Sequence, residues 1–273
     1  MTPLARELAE ISAREMVAAL GLGDAPPLVK RGLALPFFAA SRRLGEVLAA
    51  FATDAGTQSL PTAAAQALSR FGVALRTTGV NAPEGPCLVL ANHPGAYDAL
   101  ALMVAIGRHD LAIVAADREF LRALSGFSKH LLFVSESAGE RAGALKKSLA
   151  WLKRGGALLH FPAGKIEPDA DYESDPARLL ESWQPGASAL VKACRRVSGR
   201  VLVAGVRGVH SPRAKRLLLN RLAEQRGITT LSPLVQLLGR LRDVEAHVRI
   251  AEMSGPDDEP TLRRALVNAI LTA

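Results

Sequence analysis

Residues 87–106, CLVLANHPGAYDALALMVAI, combine a strand-like and a helix-like pattern. The first five residues, 87–91, form an uninterrupted apolar run with the length and composition of a buried β-strand. Pro94 and Gly95 then break the chain, and the apolar pattern resumes as a helix predicted from about Asp98 to Ile106. The stretch therefore predicts a strand, a short loop and a helix, the unit from which sheets flanked by helices are built.

The same alternation continues on both sides of this stretch. Strands are predicted at 73–80, 111–116, 131–135, 157–161, 201–206 and 243–253, and helices near 118 and at 140–154, 186–196 and 261–270. This order indicates an α/β fold with a largely parallel, mixed sheet flanked by helices, which binds ligands at the carboxyl ends of its strands. Residues 1–70 show only helical patterns, broken at 21–27 and 53–61. We therefore predict an N-terminal helical segment, 1–70, and one domain, 71–273.

The net positive charge of the chain indicates which classes of partner it attracts. The 273 residues include 34 Lys and Arg against 26 Asp and Glu, which gives a net charge of +8. Such a surface attracts an anionic membrane face, a nucleic acid, or a phosphorylated or CoA-linked substrate. Aromatic residues make up only 4% of the chain and are not interleaved with a basic stretch, so we expect no nucleic-acid partner.

Other features bear on location and on metals. Cys87 and Cys194 are far apart and no His lies at metal-ligand spacing, so we expect reduced thiols, cytoplasmic surroundings and no metal. We also expect no transmembrane helix: GLALPFFAAS, 32–41, is too short to cross a bilayer and contains a Pro. Basic residues flank this stretch, so it either packs on the main domain or lies peripherally on the cytoplasmic membrane face.

His93 and Asp98 lie on either side of the turn that follows the strand predicted at 87–91. A His whose tautomer is fixed by a carboxylate can accept a proton from a hydroxyl and return it later, which is the work of a general base. The turn at Pro94 and Gly95 allows Asp98 to point back toward the imidazole. In the alternative interpretation Asp98 caps the helix and His93 satisfies backbone groups. These residues alone leave both interpretations open.

A second loop, FPAGKIEPD at 161–169, follows another predicted strand. Gly164 allows backbone N–H groups to approach an anion or oxyanion, and Lys165 can hold a phosphate. The pattern is not a nucleotide-binding P-loop, because Leu159 and Ile166 stand where a Gly and a Ser or Thr are required. The chain also has no Gly-x-Ser-x-Gly motif, which argues against a serine hydrolase.

Taken together, NHPGAYD at 92–98 and FPAG at 161–164 resemble two motifs of the glycerolipid acyltransferase family, which includes lysophosphatidic acid and glycerol-3-phosphate acyltransferases. The resemblance extends from about Phe71 to near the C-terminus. It implies transfer of a fatty acyl group to a hydroxyl of a glycerol phosphate, a lysophospholipid or a related lipid acceptor. The acyl donor would be acyl-CoA or acyl-carrier protein, a co-substrate, with no bound cofactor.

The resemblance also implies roles for single residues. His93 corresponds to the base that takes the proton from the acceptor hydroxyl, and Asp98 to the carboxylate that orients it. Gly164 and Lys165 correspond to a loop that binds the acceptor or its phosphate. Arg141 corresponds to an arginine of an intermediate motif that contributes to the phosphate site, although its spacing from the other motifs differs from that in better-known members. In the alternative interpretation Arg141 is a solvated residue near the start of a helix.

One position departs from the family pattern. Ala163 stands where the family commonly has Glu, so a carboxylate contact to the acceptor is either missing or supplied by Glu167 or Asp169. Some members of the family also have Phe-Pro-Ala-Gly at this motif. The difference therefore bears on the identity of the acyl acceptor more than on the transfer reaction. Two other functions stay open: a non-catalytic lipid-binding or regulatory protein on the same fold, and a basic nucleic-acid or membrane-surface protein whose motif match is accidental and in which the two loops lie far apart.

Overall fold

The structure, a computed structural model, describes residues 1–22, 26–95, 97–134, 138–183, 186–217, 236–237, 241 and 243–273. Its strands in the described residues are β1 Ala74–Gly79, β2 Cys87–Ala91, β3 Leu111–Ala116, β4 Leu131–Val134, β5 Ala157–His160, β6 Arg200–Arg207 and β7 Glu245–Glu252. The helices are α1 Pro3–Val17, α2 Pro27–Thr57, α3 Leu60–Phe71, α4 Asp98–Ile106, α5 Glu119–Ala123, α6 Ser125–Ser128, α7 Ala138–Lys153, α8 Pro176–Leu179, α9 Ala187–Arg196, α10 Pro212–Arg216 and α11 Glu259–Leu271. A π-helical turn, Ala18–Leu22, follows α1.

The strands form one mixed sheet in the order β1-β7-β6-β2-β5-β3-β4. The five strands from β6 to β4 run parallel to one another, β7 is antiparallel to β6, and β1 is parallel to β7. This arrangement confirms the predicted α/β class with its largely parallel sheet and N-terminal helices. β2, which the opening stretch begins with, lies in the middle of the order between β6 and β5.

The alternation of side chains along β2 divides the core into two layers, one on each face of the sheet. Cys87 and Val89 belong to an apolar cluster on one face, which also holds buried residues of α1 to α4. Leu88 and Leu90 belong to a second cluster on the other face, with buried residues of α7, α9 and α11. Because both faces are covered, β2 is apolar throughout and every residue of it is buried.

The N-terminal helices differ from expectation at one boundary. The sequence predicted a break over 53–61, but α2 continues to Thr57 and α3 begins at Leu60. Gly56 does not end α2 but faces Gly126 of α6. A Cβ atom at Gly126 would meet the backbone of α2, so the absence of a side chain there allows the two helices to approach closely. Ser59 caps α3 and Pro61 lies in its first turn, where a missing N–H costs little.

Cys87 and Cys194 are buried free thiols. In the described part of the chain, no helix has the length and apolar character needed to cross a membrane. The division into 1–70 and 71–273 stays a prediction, although α3 ends at Phe71 and α1 to α3 share their apolar cluster with the sheet.

Candidate active site

The candidate site lies where β6, β2 and β5 end side by side. β2 pairs in parallel with β5, Leu90 opposite His160, and with β6, Ala91 opposite Ala204. Because the three strands run in the same direction, the loops that begin at 92, 161 and 208 leave the sheet at the same edge. The two loops selected from the sequence are therefore neighbours, and a third loop joins them.

Asn92 fixes the start of the first loop. Its side-chain Nδ2 donates to the Val206 carbonyl at 2.8 Å, and its Oδ1 accepts the Val206 N–H at 2.7 Å. The side chain thus continues the pairing of β2 with β6 beyond the last strand residue, and Asn92 is completely buried. Sequence reasoning gave Asn92 no structural role; a polar residue directly after a buried strand was the available signal.

His93 and Asp98 are in direct contact. The Nδ1 atom of His93 lies 2.8 Å from Oδ2 of Asp98, whose side chain is 2% exposed. The same carboxylate accepts the Gly95 N–H at 2.7 Å and the Ala99 N–H at 2.5 Å, and Gly95 makes the turn with a φ of +105°. One carboxylate therefore binds the imidazole and two backbone N–H groups near the start of α4, where Tyr97 occupies the N-cap position.

Burial and pairing act in opposite directions on the protonation of this pair. Burial lowers the pKa of His93, but the Asp98 carboxylate and, more weakly, Glu167 outweigh it, so the pKa lies above its ordinary 6.5. Burial raises the pKa of Asp98, but His93 and the backbone N–H donors hold it below its ordinary 3.8. Asp98 is therefore ionised at neutral pH and favours a proton on Nδ1 of the imidazole.

The other nitrogen of the imidazole is available for chemistry. The His93 side chain is 31% exposed, and Nε2 has no hydrogen-bond partner among the described residues. The Phe161 ring packs against the imidazole with the ring centroids 4.6 Å apart. With Nδ1 held by Asp98 and one side covered by Phe161, Nε2 is the atom that can take a proton from a bound molecule.

Glu167 joins the second loop to the first. Its backbone N–H donates to the His93 carbonyl at 2.8 Å, and its Oε2 accepts the His93 N–H at 2.8 Å. Glu167 is only 3% exposed, and burial raises the pKa of its carboxyl group to about 7. The contact also excludes an arrangement in which the two loops lie far apart, the condition on which the basic surface-binding alternative depended.

Asp169 fixes the loop that follows β6. Its Oδ1 accepts the Gly208 N–H at 2.9 Å, and its Oδ2 accepts the N–H groups of Val209 at 2.9 Å and His210 at 3.3 Å. Asp169 is buried and its carboxylate is directed at backbone donors. It therefore holds the third loop in place, whereas the sequence had suggested it as one source of an acceptor contact.

Two more histidines lie at this edge of the sheet, and sequence reasoning did not select either. Burial lowers the pKa of His160, the last residue of β5, to about 4. Burial also lowers the pKa of His210, against the opposing effects of Asp169 and of a hydrogen bond with the Pro94 backbone. Both imidazoles are therefore neutral at neutral pH, and His93 is the histidine here whose surroundings favour the charged form.

The remaining predicted residues lie farther out in the second loop or outside the described part. Gly164 and Lys165 are exposed, and the Gly164 N–H donates to the Phe161 carbonyl at 3.1 Å, which closes the turn at a φ of +63°. Lys165 has no ion pair or hydrogen bond with the described residues. Arg141 lies in α7, but its side chain is outside the described part.

Ala163 is a buried residue of the second loop. It is 2% exposed and belongs to the apolar cluster beneath the sheet edge, together with Leu90 and Leu158. A methyl group suits this position, because a carboxylate among these apolar neighbours would require a partner.

The fold and the site together define a class of protein: an α/β protein with an accessible His–Asp pair at the ligand-binding edge of its sheet. Within that class, the acyltransferase family model matches residues 74–203, a range that contains both loops. Residues 74–203 therefore match an acyltransferase domain, which confirms the predicted resemblance and the predicted class of enzyme, an acyltransferase.

The chain is also similar to a solved structure. The crystal structure of the 1-acyl-sn-glycerophosphate (LPA) acyltransferase PlsC from Thermotoga maritima has 15% sequence identity to it and a TM-score of 0.47. The similarity covers 98% of this chain and 95% of that chain. No curated protein matches the sequence.

Proposed function

We propose that the protein transfers a fatty acyl group from acyl-CoA or acyl-carrier protein to a hydroxyl of a glycerol phosphate, a lysophospholipid or a related lipid. The observation that carries the proposal is the 2.8 Å contact between His93 Nδ1 and Asp98 Oδ2, with Nε2 unpartnered among the described residues. This pair lies inside the range matched by the acyltransferase family model.

The reaction needs a base but no protein nucleophile. As the acceptor oxygen attacks the thioester carbonyl carbon, Nε2 of His93 takes the hydroxyl proton, and Asp98 stabilises the imidazolium that forms. The tetrahedral intermediate then collapses with cleavage of the C–S bond, and the imidazolium returns its proton to the sulfur. An ester and a free thiol leave the site, and His93 is neutral again.

We assign the phosphate of the acceptor to the loop that carries Gly164 and Lys165. Lys165 supports this assignment because its ammonium group is exposed and has no partner among the described residues. Arg141 is proposed as a second cationic contact from its place in the sequence motif. An apolar tunnel that ends near His93 stays a prediction, since the acyl chain requires an apolar environment.

The experiment is an acyl-transfer assay with purified protein. Acyl-CoA and acyl-carrier protein are each offered with glycerol 3-phosphate, lysophosphatidic acid and an amine-bearing lysolipid, and thiol release and acylated product are measured. His93→Ala should abolish transfer while circular dichroism stays unchanged, and His109→Ala, at an exposed histidine, is the matched control. Wild-type protein that binds acyl-CoA without turnover would favour the lipid-binding alternative, and an active His93→Ala variant would refute the role of the base.

We further propose that the first half of α2 rests on the anionic cytoplasmic face of a membrane. Leu28 and Leu35, which are 85% and 69% exposed, lie two helical turns apart on the same face of α2. The exposed Arg42 and the net charge of +8 would attract anionic headgroups. The wild type should co-sediment with vesicles that contain anionic lipid, whereas a Leu28→Asp/Leu35→Asp variant should not. Equal co-sedimentation of both proteins would contradict the proposal.

A further inference from the structure

Glu167 contacts the general-base residue through its backbone and its side chain at once. Its N–H donates to the His93 carbonyl, and its Oε2 accepts the His93 N–H, each at 2.8 Å. Both polar groups of the His93 main chain are therefore bound by one residue 74 positions away in the chain. A histidine in a loop is otherwise free to change its backbone angles, and with them the direction of its ring.

We propose that Glu167 is a positioning residue for the transfer reaction: it holds the main chain of His93, so that the imidazole stays on Asp98 and Nε2 stays directed at the acceptor hydroxyl. This inference rests on the proposed function. It assigns Glu167 a role different from the substrate contact that the sequence suggested. A group held by its neighbours within a fraction of an ångström loses much of its rate advantage when that support is removed.

The burial of Glu167 favours positioning over a contact with substrate. The residue is 3% exposed, and its second oxygen, Oε1, is buried without a hydrogen-bond partner among the described residues. A carboxylate oxygen left without a donor is costly to bury, which is why burial raises the pKa of Glu167 to about 7. The residue therefore retains this carboxyl at a cost in stability, which fits a functional contact.

The charges around Glu167 link it to the protonation of the base. The charged groups that act on the pKa of the Glu167 carboxyl are His93 of the first loop, Asp98 of α4 and Arg263 of α11. Glu167 in turn raises the pKa of His93, although less than Asp98 does. Removal of the carboxyl should therefore lower the pKa of His93.

The test compares Glu167→Ala and Glu167→Gln with the wild type. Glu181→Gln, which removes an exposed carboxylate outside the site, is the matched control. Two measurements are made: kcat and KM for acyl transfer, and the pKa of the His93 imidazole by NMR titration. The NMR measurement needs no turnover, so it tests the inference even if the proposed acyl transfer fails.

We expect Glu167→Ala to lower kcat by about 10- to 100-fold with little change in the KM for the acceptor. Glu167→Gln keeps an oxygen that can accept the His93 N–H, so its loss of kcat should be smaller, and in both variants the pKa of His93 should fall. A rise in acceptor KM with an unchanged kcat would indicate a substrate contact and overturn the inference. An unchanged His93 titration in the folded Gln variant would overturn it as well.

Discussion

Replacing Glu167 by Gln is expected to change how the stability of the protein depends on pH. The carboxyl of Glu167 ionises near 4.5 when it is exposed and near 7 in the folded protein, because burial disfavours its charge. Between these two values the folded state holds a proton that the unfolded state has lost. The free energy of unfolding should therefore fall as the pH rises through this window, and the Gln variant, which carries no titrating group at 167, should lack this component.

The size of the effect follows from the shift. One pKa unit corresponds to about 1.4 kcal/mol, so a rise from 4.5 to about 7 corresponds to about 3 kcal/mol. The stabilisation by a neutral Glu167 is fully present below its unfolded pKa and is lost as the pH rises toward its folded pKa. Relative to the variant, the wild type should thus lose about 3 kcal/mol between about pH 4 and about pH 8.

The assay is urea unfolding at several pH values, followed by the fluorescence of Trp151 and Trp183. The quantity compared is the difference in the free energy of unfolding between the wild type and Glu167→Gln at each pH, which cancels the titration of groups that the substitution does not affect. Glu181→Gln, which replaces an exposed carboxylate outside the site, is the control. Parallel curves for the wild type and the Glu167 variant would contradict this expectation, because they would mean that the pKa of Glu167 is the same in the folded and unfolded protein.

Three other predictions concern the first loop. Asp98→Asn should lower kcat by about 10²- to 10⁴-fold, because the amide places a donor where the carboxylate now accepts from His93 and two backbone N–H groups, and transfer rates with circular dichroism will check it. The rate should increase with pH through a midpoint above 6.5, since the neutral His93 is the base and its pKa is raised; a pH–rate profile with a lower midpoint would contradict this. Asn92→Ala should reduce the free energy of unfolding by about 1–3 kcal/mol, because it leaves the buried N–H and carbonyl of Val206 unpaired, and urea unfolding measures the loss.

The parts of the fold that sequence alone predicted are those with a strong local signal. The bounds of β2, α4 and β3 agree with prediction, because each is an apolar run between residues that break regular structure. The contact of His93 with Asp98 was also within reach of sequence, since a turn of a few residues limits where the carboxylate can go. The order of the strands and the antiparallel direction of β7 were not, because alternation along the chain does not specify neighbours in space.

The contacts that sequence could not predict join residues far apart in the chain. Nothing in FPAGKIEPD distinguishes Glu167, which binds the His93 backbone, from Asp169, which binds the loop at 208–210. Their roles depend on which backbone N–H groups the folded chain brings to each carboxylate. The extent of α2 was missed because its turn-forming residues favour a break, whereas in the structure Gly56 lies within the helix and faces Gly126 of α6.

Three buried carboxyl groups at this sheet edge differ in what they can do because they differ in the donors they receive. Asp98 accepts two backbone N–H groups and faces the imidazole, so its pKa is lowered and it can stabilise a charged His93. Asp169 is bound by backbone N–H groups of the third loop, which makes it part of the framework. Among the described residues, Glu167 has one N–H donor, from His93, and one oxygen without a partner, and burial raises its pKa to about 7. The Glu167 carboxyl has few hydrogen-bond donors and contacts the main chain of His93. Its protonation can therefore change together with that of the His93 imidazole. The Gln variant should therefore be the more stable protein near neutral pH and the slower enzyme, and measurement of both properties on one variant separates a functional carboxyl from a structural one.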